Sequence, residues 1–124
     1  MKTKIIYSSL FVLLIAVLSI LSCSKSNSYN SGNTPSTASV SIKNMAFNPL
    51  SLSITTGTTV TWVNNDNTAH TVTADDGSFN SGTIAVGAKF TRAFSTTGTF
   101  AYHCTLHPEM VGTVVVAKAP GGGY

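Results

Sequence analysis

The chain has 124 residues, a length that suits a single domain. Charged residues make up only 9% of it, well under the usual share of about a quarter, and Thr, Ser, Asn and Gly take their place. The formal net charge is +3, but Lys2 and Lys4 lie in an N-terminal leader and the remaining charges form no basic cluster, which excludes a nucleic-acid partner.

The leader consists of Lys2 and Lys4 followed by an apolar run over 10–21, which matches the charged and hydrophobic parts of a secretory signal. The run is short for a membrane span. It ends in Ile-Leu-Ser-Cys, which resembles a bacterial lipobox, whose cysteine is acylated and becomes the first mature residue. We therefore predict a lipoprotein signal peptide over 1–22 and lipidation of Cys23; the alternative is an uncleaved anchor helix. Either one places the domain outside the cytoplasm, at the periplasmic face or the cell surface of a bacterial membrane.

Two segments are predicted to stay outside the fold. Residues 23–37 are mostly Ser, Asn, Gly, Thr and Pro, which cannot bury enough apolar surface to order themselves. The Gly-rich residues 119–124 form a similar tail. The sequence thus predicts a flexible tether over 23–37, one folded domain over 38–118, and a loose tail over 119–124.

The folded part shows short alternating segments, each closed by a turn signal. The predicted strands contain Val40 and Ile42, Leu52 and Ile54, Val60 and Trp62, and residues 70–73, 89–94, 98–103 and 112–117. Seven to eight such strands without a helical period predict an all-β fold, a Greek-key antiparallel β-sandwich. Large aromatic side chains on strand faces usually fill the core, so we expect this of Trp62, Phe94 and Phe100. The apolar segment 45–50 is less regular and is predicted to be a packed loop.

A cluster of potential metal ligands follows the penultimate predicted strand. Cys104, His107 and Met110 are three residues apart in one short loop, and His70 can supply a second imidazole from far upstream. A buried structural Cys104 is the simpler interpretation for an average lone cysteine. It is disfavoured here because His and Met at fitting offsets are improbable by chance.

The ligand types indicate which metal such a site would hold. Soft sulfur ligands stabilise Cu(I), while imidazoles are good ligands of Cu(II). Zinc accepts His and Cys but gains little from Met, and haem attachment requires a second cysteine nearby. Copper therefore fits the set best.

With these residues the region resembles the cupredoxins, and within them the plastocyanin/amicyanin-like proteins. The Cys-x-x-His-x-x-Met spacing is similar to the short ligand loop of amicyanins. The resemblance runs over about 40–116 and includes Tyr102-His103, Pro108, residues 58–62, Asn64 and His70. It implies one copper ion cycling between Cu(I) and Cu(II), with His70, Cys104 and His107 in a trigonal plane and Met110 as a long axial ligand.

The resemblance also implies supporting residues around the ligands. The backbone N–H of Thr71 would bond the Cys104 sulfur, and Asn64 or Asn65 would brace the loop that carries it. Glu109 departs from the family, because amicyanins usually have an apolar residue there. We expect His103, on the opposite strand face from Cys104, to lie at the surface, and the aspartates and Glu109 to be solvated charges.

The function implied is that of a blue copper electron carrier, a monomer with transient redox protein partners, no small-molecule substrate and no catalytic residues. Electrons would pass through the edge of His107, within an apolar patch that includes Pro108 and part of 45–50. A copper chaperone or copper-storage lipoprotein would use the same ligands. A metal-free sandwich lipoprotein for adhesion or ligand binding is a second alternative.

Overall fold

The computed structural model describes residues 34–121, which contain eight strands and no helix. No helix in this range is long and apolar enough to cross a membrane. The strands are β1 (Thr37–Lys43), β2 (Ala46–Asn48), β3 (Ser51–Thr55), β4 (Thr58–Asn64), β5 (Thr73–Ala74), β6 (Lys89–Phe94), β7 (Gly98–His103) and β8 (Val111–Ala117). The predicted signal peptide, Cys23, most of the tether and residues 122–124 lie outside the described residues, so those predictions remain predictions.

Two four-stranded sheets form the sandwich, with strand orders β2-β1-β4-β6 and β3-β8-β7-β5. The all-β sandwich of eight strands is confirmed, and its two sheets are mixed where the sequence suggested antiparallel pairing. Strand β1 runs parallel to β4, and β3 runs parallel to β8. The reason is that the chain leaves the first sheet after β2, forms β3 in the second sheet and returns as β4 through the turn at Gly57, which restores the direction of β1.

The core lies between the sheets and is rich in aromatic rings. Strand β4 alternates strictly between buried and half-buried residues, as a strand with one face on the core should. Trp62 is fully buried, with its ring centroid 5.6 Å from that of Tyr102 and 6.4 Å from that of Phe94. Phe94 is buried too, while Phe100 is half-buried and packs on it at 5.1 Å. The core predictions for Trp62 and Phe94 are confirmed, and Phe100 lies at the rim.

The segment 45–50 is not the loop that the sequence suggested, because Ala46–Asn48 forms β2 and pairs with β1. The side chain of Phe47 in this strand is buried, and its ring lies edge-on to that of Tyr102 with 4.8 Å between the centroids. The turn between β1 and β2 has positive φ at both Asn44 (53°) and Met45 (58°). A two-residue hairpin needs that geometry, which is easy for Asn and unusual for Met.

Candidate metal centre

The loop that carries Cys104 joins two paired strands and is closed by its own backbone. Strands β7 and β8 are in register at His103 and Val111, so both ends of the loop are fixed. The Cys104 N–H donates to the Met110 carbonyl at 3.0 Å, and the Met110 N–H donates to the His107 carbonyl at 2.9 Å. Because the loop is short and its backbone is hydrogen-bonded internally, its side chains have little freedom to move relative to one another.

His70 comes from a different part of the sandwich, between β4 and β5. Of the predicted strand over 70–73 only Thr73 lies in a strand, β5, and His70 instead forms an isolated bridge with Ile84. The Ile84 N–H donates to the His70 carbonyl at 2.7 Å, and the His70 N–H donates back at 3.2 Å. The side chain of His70 is fully buried, so its ring has little freedom to rotate.

The side chains of these two stretches meet around the sulfur of Cys104. The Nδ1 atom of His70 lies 3.9 Å from the Cys104 Sγ, and the Nδ1 atom of His107 lies 3.6 Å from it. Ligand atoms of all three residues lie within 4.8 Å of one another. Cys104 is fully buried, and Met110, at the end of the same loop, is 4% exposed. The arrangement brings a thiol and two imidazole nitrogens to one place, and the buried thioether of Met110 belongs to the same loop.

Thr71 connects the two stretches. Its backbone N–H donates to the Cys104 Sγ at 3.3 Å, which is the contact that the resemblance implied. Its Oγ1 accepts from the N–H of Thr105 at 2.8 Å. Thr71 therefore ties the stretch that carries His70 to the loop that carries Cys104.

Asn64 braces the loop that leads to His70, and Asn65 does not. The Asn64 Nδ2 donates to the carbonyls of Thr68 at 2.8 Å and Ile84 at 3.0 Å, and its side chain is fully buried. The Asn65 Nδ2 instead donates to the Ser41 hydroxyl at an exposed position.

We expect Asn64→Ala to lower the free energy of unfolding of the metal-free protein by about 1–3 kcal/mol, because carbonyls in the interior lose their donor. Asn65→Ala is the matched control and should change it by less than about 0.5 kcal/mol. Urea denaturation followed by tryptophan fluorescence measures both. Equal effects of the two variants would show that the buried amide does not brace this loop.

Asp66 is a residue of this site that the sequence analysis missed. Its Oδ2 accepts from the Met45 N–H at 2.9 Å and lies 3.1 Å from the Nε2 of His70. The Met45 N–H, with the N–H of Asn67 and the His70 side chain, holds the pKa of the Asp66 carboxyl below its ordinary value. The interpretation of Asp66 as a solvated charge is therefore wrong, and only its position four residues before a candidate ligand hinted at the contact.

His103 points away from the cluster, as expected from strand alternation. Its Nδ1 lies 2.6 Å from the Oδ1 of Asp75, and its side chain is partly exposed. It is therefore separate from the group formed by His70, Cys104 and His107.

The outer edge of His107 lies at the molecular surface, in an open depression with a volume of about 500 Å³. Its lining is Met45, Leu106, His107, Pro108, Glu109 and Met110, and we call this surface the His107 face. Leu106 and Met45 are large apolar side chains that are 52% and 46% exposed there. The His107 face is thus mainly apolar, and its one carboxylate belongs to Glu109.

Comparison with known proteins gives matches over most of the described chain. The model of the cupredoxin-like domain family matches residues 11–116. Plastocyanin from Scenedesmus fuscus is 34% identical over 85 residues, which cover 58% of this chain and 87% of the plastocyanin. Amicyanin from Paracoccus denitrificans is 33% identical over 87 residues, 62% of this chain and 63% of the amicyanin. A solved purple cupredoxin from Nitrosopumilus maritimus matches with a TM-score of 0.61 and 33% identity, over 64% of this chain and 99% of that one.

Proposed function

The chain belongs to the cupredoxin-like domain family, and from that premise we propose that it is a type 1 (blue) copper protein that carries single electrons between redox partners. One observation supports this most strongly: the Nδ1 atoms of His70 and His107 lie 3.9 and 3.6 Å from the buried sulfur of Cys104. A metal-free sandwich has no evident need for two imidazoles turned toward a buried thiol. In the proposed role one electron enters from a donor protein and leaves to an acceptor protein.

We propose His70, Cys104, His107 and Met110 as the ligands of one copper ion. The donors fit copper, because the set combines a thiolate, two neutral imidazole nitrogens and a thioether, which together accommodate both Cu(I) and Cu(II). The N–H of Thr71 at 3.3 Å from the Cys104 sulfur suits a negatively charged ligand there. When bound, copper supplies the one-electron Cu(I)/Cu(II) couple.

In this role the protein must hold the ligands in a fixed geometry. An electron carrier works best when the geometry of its site changes little between oxidation states, and here the ligands come from a closed loop and a fully buried histidine. Asn64 and Thr71 hold the two stretches together through hydrogen bonds. The proposal assigns four protein side chains to the ion, and it includes no substrate position and no enzymatic activity.

The His107 face is the proposed point of electron exit and entry. His107 is the ligand that reaches the surface, and Met45 and Leu106 beside it offer an apolar area to a partner. Electron-transfer encounters are small and transient, so a shallow and mainly apolar face suits them. We propose a monomer anchored through lipidated Cys23 outside the cytoplasm, which could reach its partners on its tether; the charged and apolar leader supports this.

Electron self-exchange separates this function from copper delivery. We expect that adding a small amount of oxidised protein to the Cu(I) protein broadens NMR signals near His107, because electrons exchange between molecules. A copper chaperone or store would instead give up its ion to a metal-free acceptor while showing slow self-exchange. Rapid loss of the ion without electron exchange would contradict the proposal.

Met110→Leu should keep the blue colour and raise the reduction potential, because a donor that favours Cu(II) is lost while the volume is conserved. Each tenfold change in the ratio of Cu(II) to Cu(I) affinity corresponds to about 59 mV. Voltammetry of the purified variant measures the shift. An unchanged potential would show that Met110 is not a ligand.

A further inference from the structure

The carboxylate of Asp66 connects two parts of the molecule that are far apart in sequence. Its Oδ2 accepts from the N–H of Met45 at 2.9 Å and lies 3.1 Å from the Nε2 of His70. We propose that Asp66 is a positioning residue that fixes the ring of His70 and couples it to the Met45 turn of the His107 face. This inference rests on the proposed function, because it concerns the same metal centre.

The contact between Asp66 and His70 selects one tautomer of the imidazole. A carboxylate is only an acceptor, so the Nε2 of His70 carries the hydrogen that lies between them. In the neutral ring Nδ1 then carries no hydrogen, and Nδ1 is the atom turned toward the Cys104 sulfur at 3.9 Å. Histidine ligands of metals are commonly oriented by a carboxylate on the other ring nitrogen. Asp66 therefore orients the His70 ring for metal binding already in the metal-free protein.

Asp66 is itself held in place, which lets it act as a fixed support. Its Oδ1 accepts from the Asn67 N–H at 2.9 Å, and its own N–H donates to the Asn64 Oδ1 at 3.1 Å. Only 10% of its side chain is exposed, and the side chain of His70 is not exposed at all. With both carboxylate oxygens engaged, the side chain cannot turn without breaking a hydrogen bond.

The second contact of Asp66 is with a strained part of the His107 face. Met45 has φ 58°, in the left-handed region that residues other than Gly, Asn and Asp rarely adopt. Its N–H points at the carboxylate, while its side chain is 46% exposed beside His107. The pairing of Lys43 with Ala46 and the hydrogen bond to Asp66 together hold Met45 in this conformation.

The charge of Asp66 has a predictable effect on the metal centre. A negative group in contact with a ligand favours the form of the site with the higher positive charge, so Asp66 should lower the reduction potential. Asp66→Asn keeps an oxygen acceptor and removes the charge. Asp76→Asn removes the same charge from an exposed position outside the site, which makes it a matched control.

The first measurement uses the potential of the copper-loaded protein. We expect Asp66→Asn to change the Cu(II)/Cu(I) affinity ratio by about tenfold, which is about 59 mV upward. Asp76→Asn should change it by less than about twofold. Equal shifts in the two variants would overturn the proposal, because the effect would then be one of net charge alone.

The second measurement uses the full chain without metal, so that it does not depend on copper. Long-range ¹H–¹⁵N NMR should show His70 as the single Nε2–H tautomer in the wild type and a tautomer mixture in Asp66→Ala. Amide exchange at Met45 should accelerate by about tenfold in Asp66→Ala, since that N–H loses its acceptor. If the alanine variant does not fold, Asp66→Leu is measured instead, because leucine fills the volume of the side chain and has no hydrogen-bond acceptor.

The outcomes separate this inference from the proposed function. An unchanged His70 tautomer and unchanged Met45 exchange in the folded Asp66 variant would overturn the role of Asp66, even if the wild type is a blue copper protein. A wild type that takes up no copper would refute the proposed function, and the spectra of the metal-free chain would still decide whether Asp66 positions His70.

Discussion

We expect Cys104→Ser to abolish the visible absorption of the copper-loaded protein. The colour expected of this site arises from charge transfer between a thiolate and Cu(II), and the serine hydroxyl is neutral at ordinary pH and cannot replace the thiolate. The substitution is nearly isosteric at a fully buried position, so the sandwich should remain folded. We expect complete loss of the band and a large loss of copper affinity, measured by absorption spectroscopy and metal analysis.

Leu106→Ala provides the control for this experiment. Leu106 lies in the same loop, and it is 52% exposed. Its truncation should leave the band intact while changing the His107 face. A Cys104→Ser protein that stayed blue would exclude Cys104 as the sulfur ligand.

Gly112→Ala should have the largest effect on stability among the substitutions considered. A Cβ at this position would lie 2.4 Å from the Cζ and 2.5 Å from the hydroxyl oxygen of Tyr102. Gly112 and Tyr102 are direct partners in the β7–β8 pair, so the ring lies across the glycine. The ring cannot retreat, because it is 1% exposed and is flanked by Phe47 and Trp62. We expect a loss of about 3 kcal/mol or more in the free energy of unfolding.

Gly77→Ala separates this overlap from the ordinary effects of adding a methyl group. Gly77 has φ +75°, and a Cβ there would have no heavy atom within 4 Å. Its replacement should cost only about 1 kcal/mol, through backbone strain alone. Urea denaturation of the two variants gives the comparison. Similar losses of unfolding free energy in the two variants would mean that the Tyr102 ring moves aside freely. That result would contradict tight packing of the core beneath the loop that carries Cys104.

The sequence predicts the local features of this fold well. Alternation identifies the buried face of β4 with Trp62, because burial of one face imposes a period of two on the strand itself. The loop with Cys104, His107 and Met110 is equally local, since all three candidate ligands lie in the short connection between the paired strands β7 and β8. These features can be predicted because their physical causes act over a few residues.

The features that the sequence did not predict depend on segments far apart in the chain. The parallel pairing of β1 with β4 results from the excursion of the chain through the other sheet, which leaves no local trace. The contact of Asp66 with Met45 exists only after a hairpin turn from one part of the chain meets a loop from another. Alternation and ligand spacing cannot reveal such contacts, so the support of His70 became visible only in the folded molecule.

The most direct test of the central proposal is a copper titration of the purified protein, followed by absorption and EPR spectroscopy of its oxidised form. The account predicts one copper ion per chain, an intense visible band, and the narrow copper hyperfine splitting that a covalent copper–thiolate bond produces. A colourless protein, or one that takes up no stoichiometric copper, would contradict it.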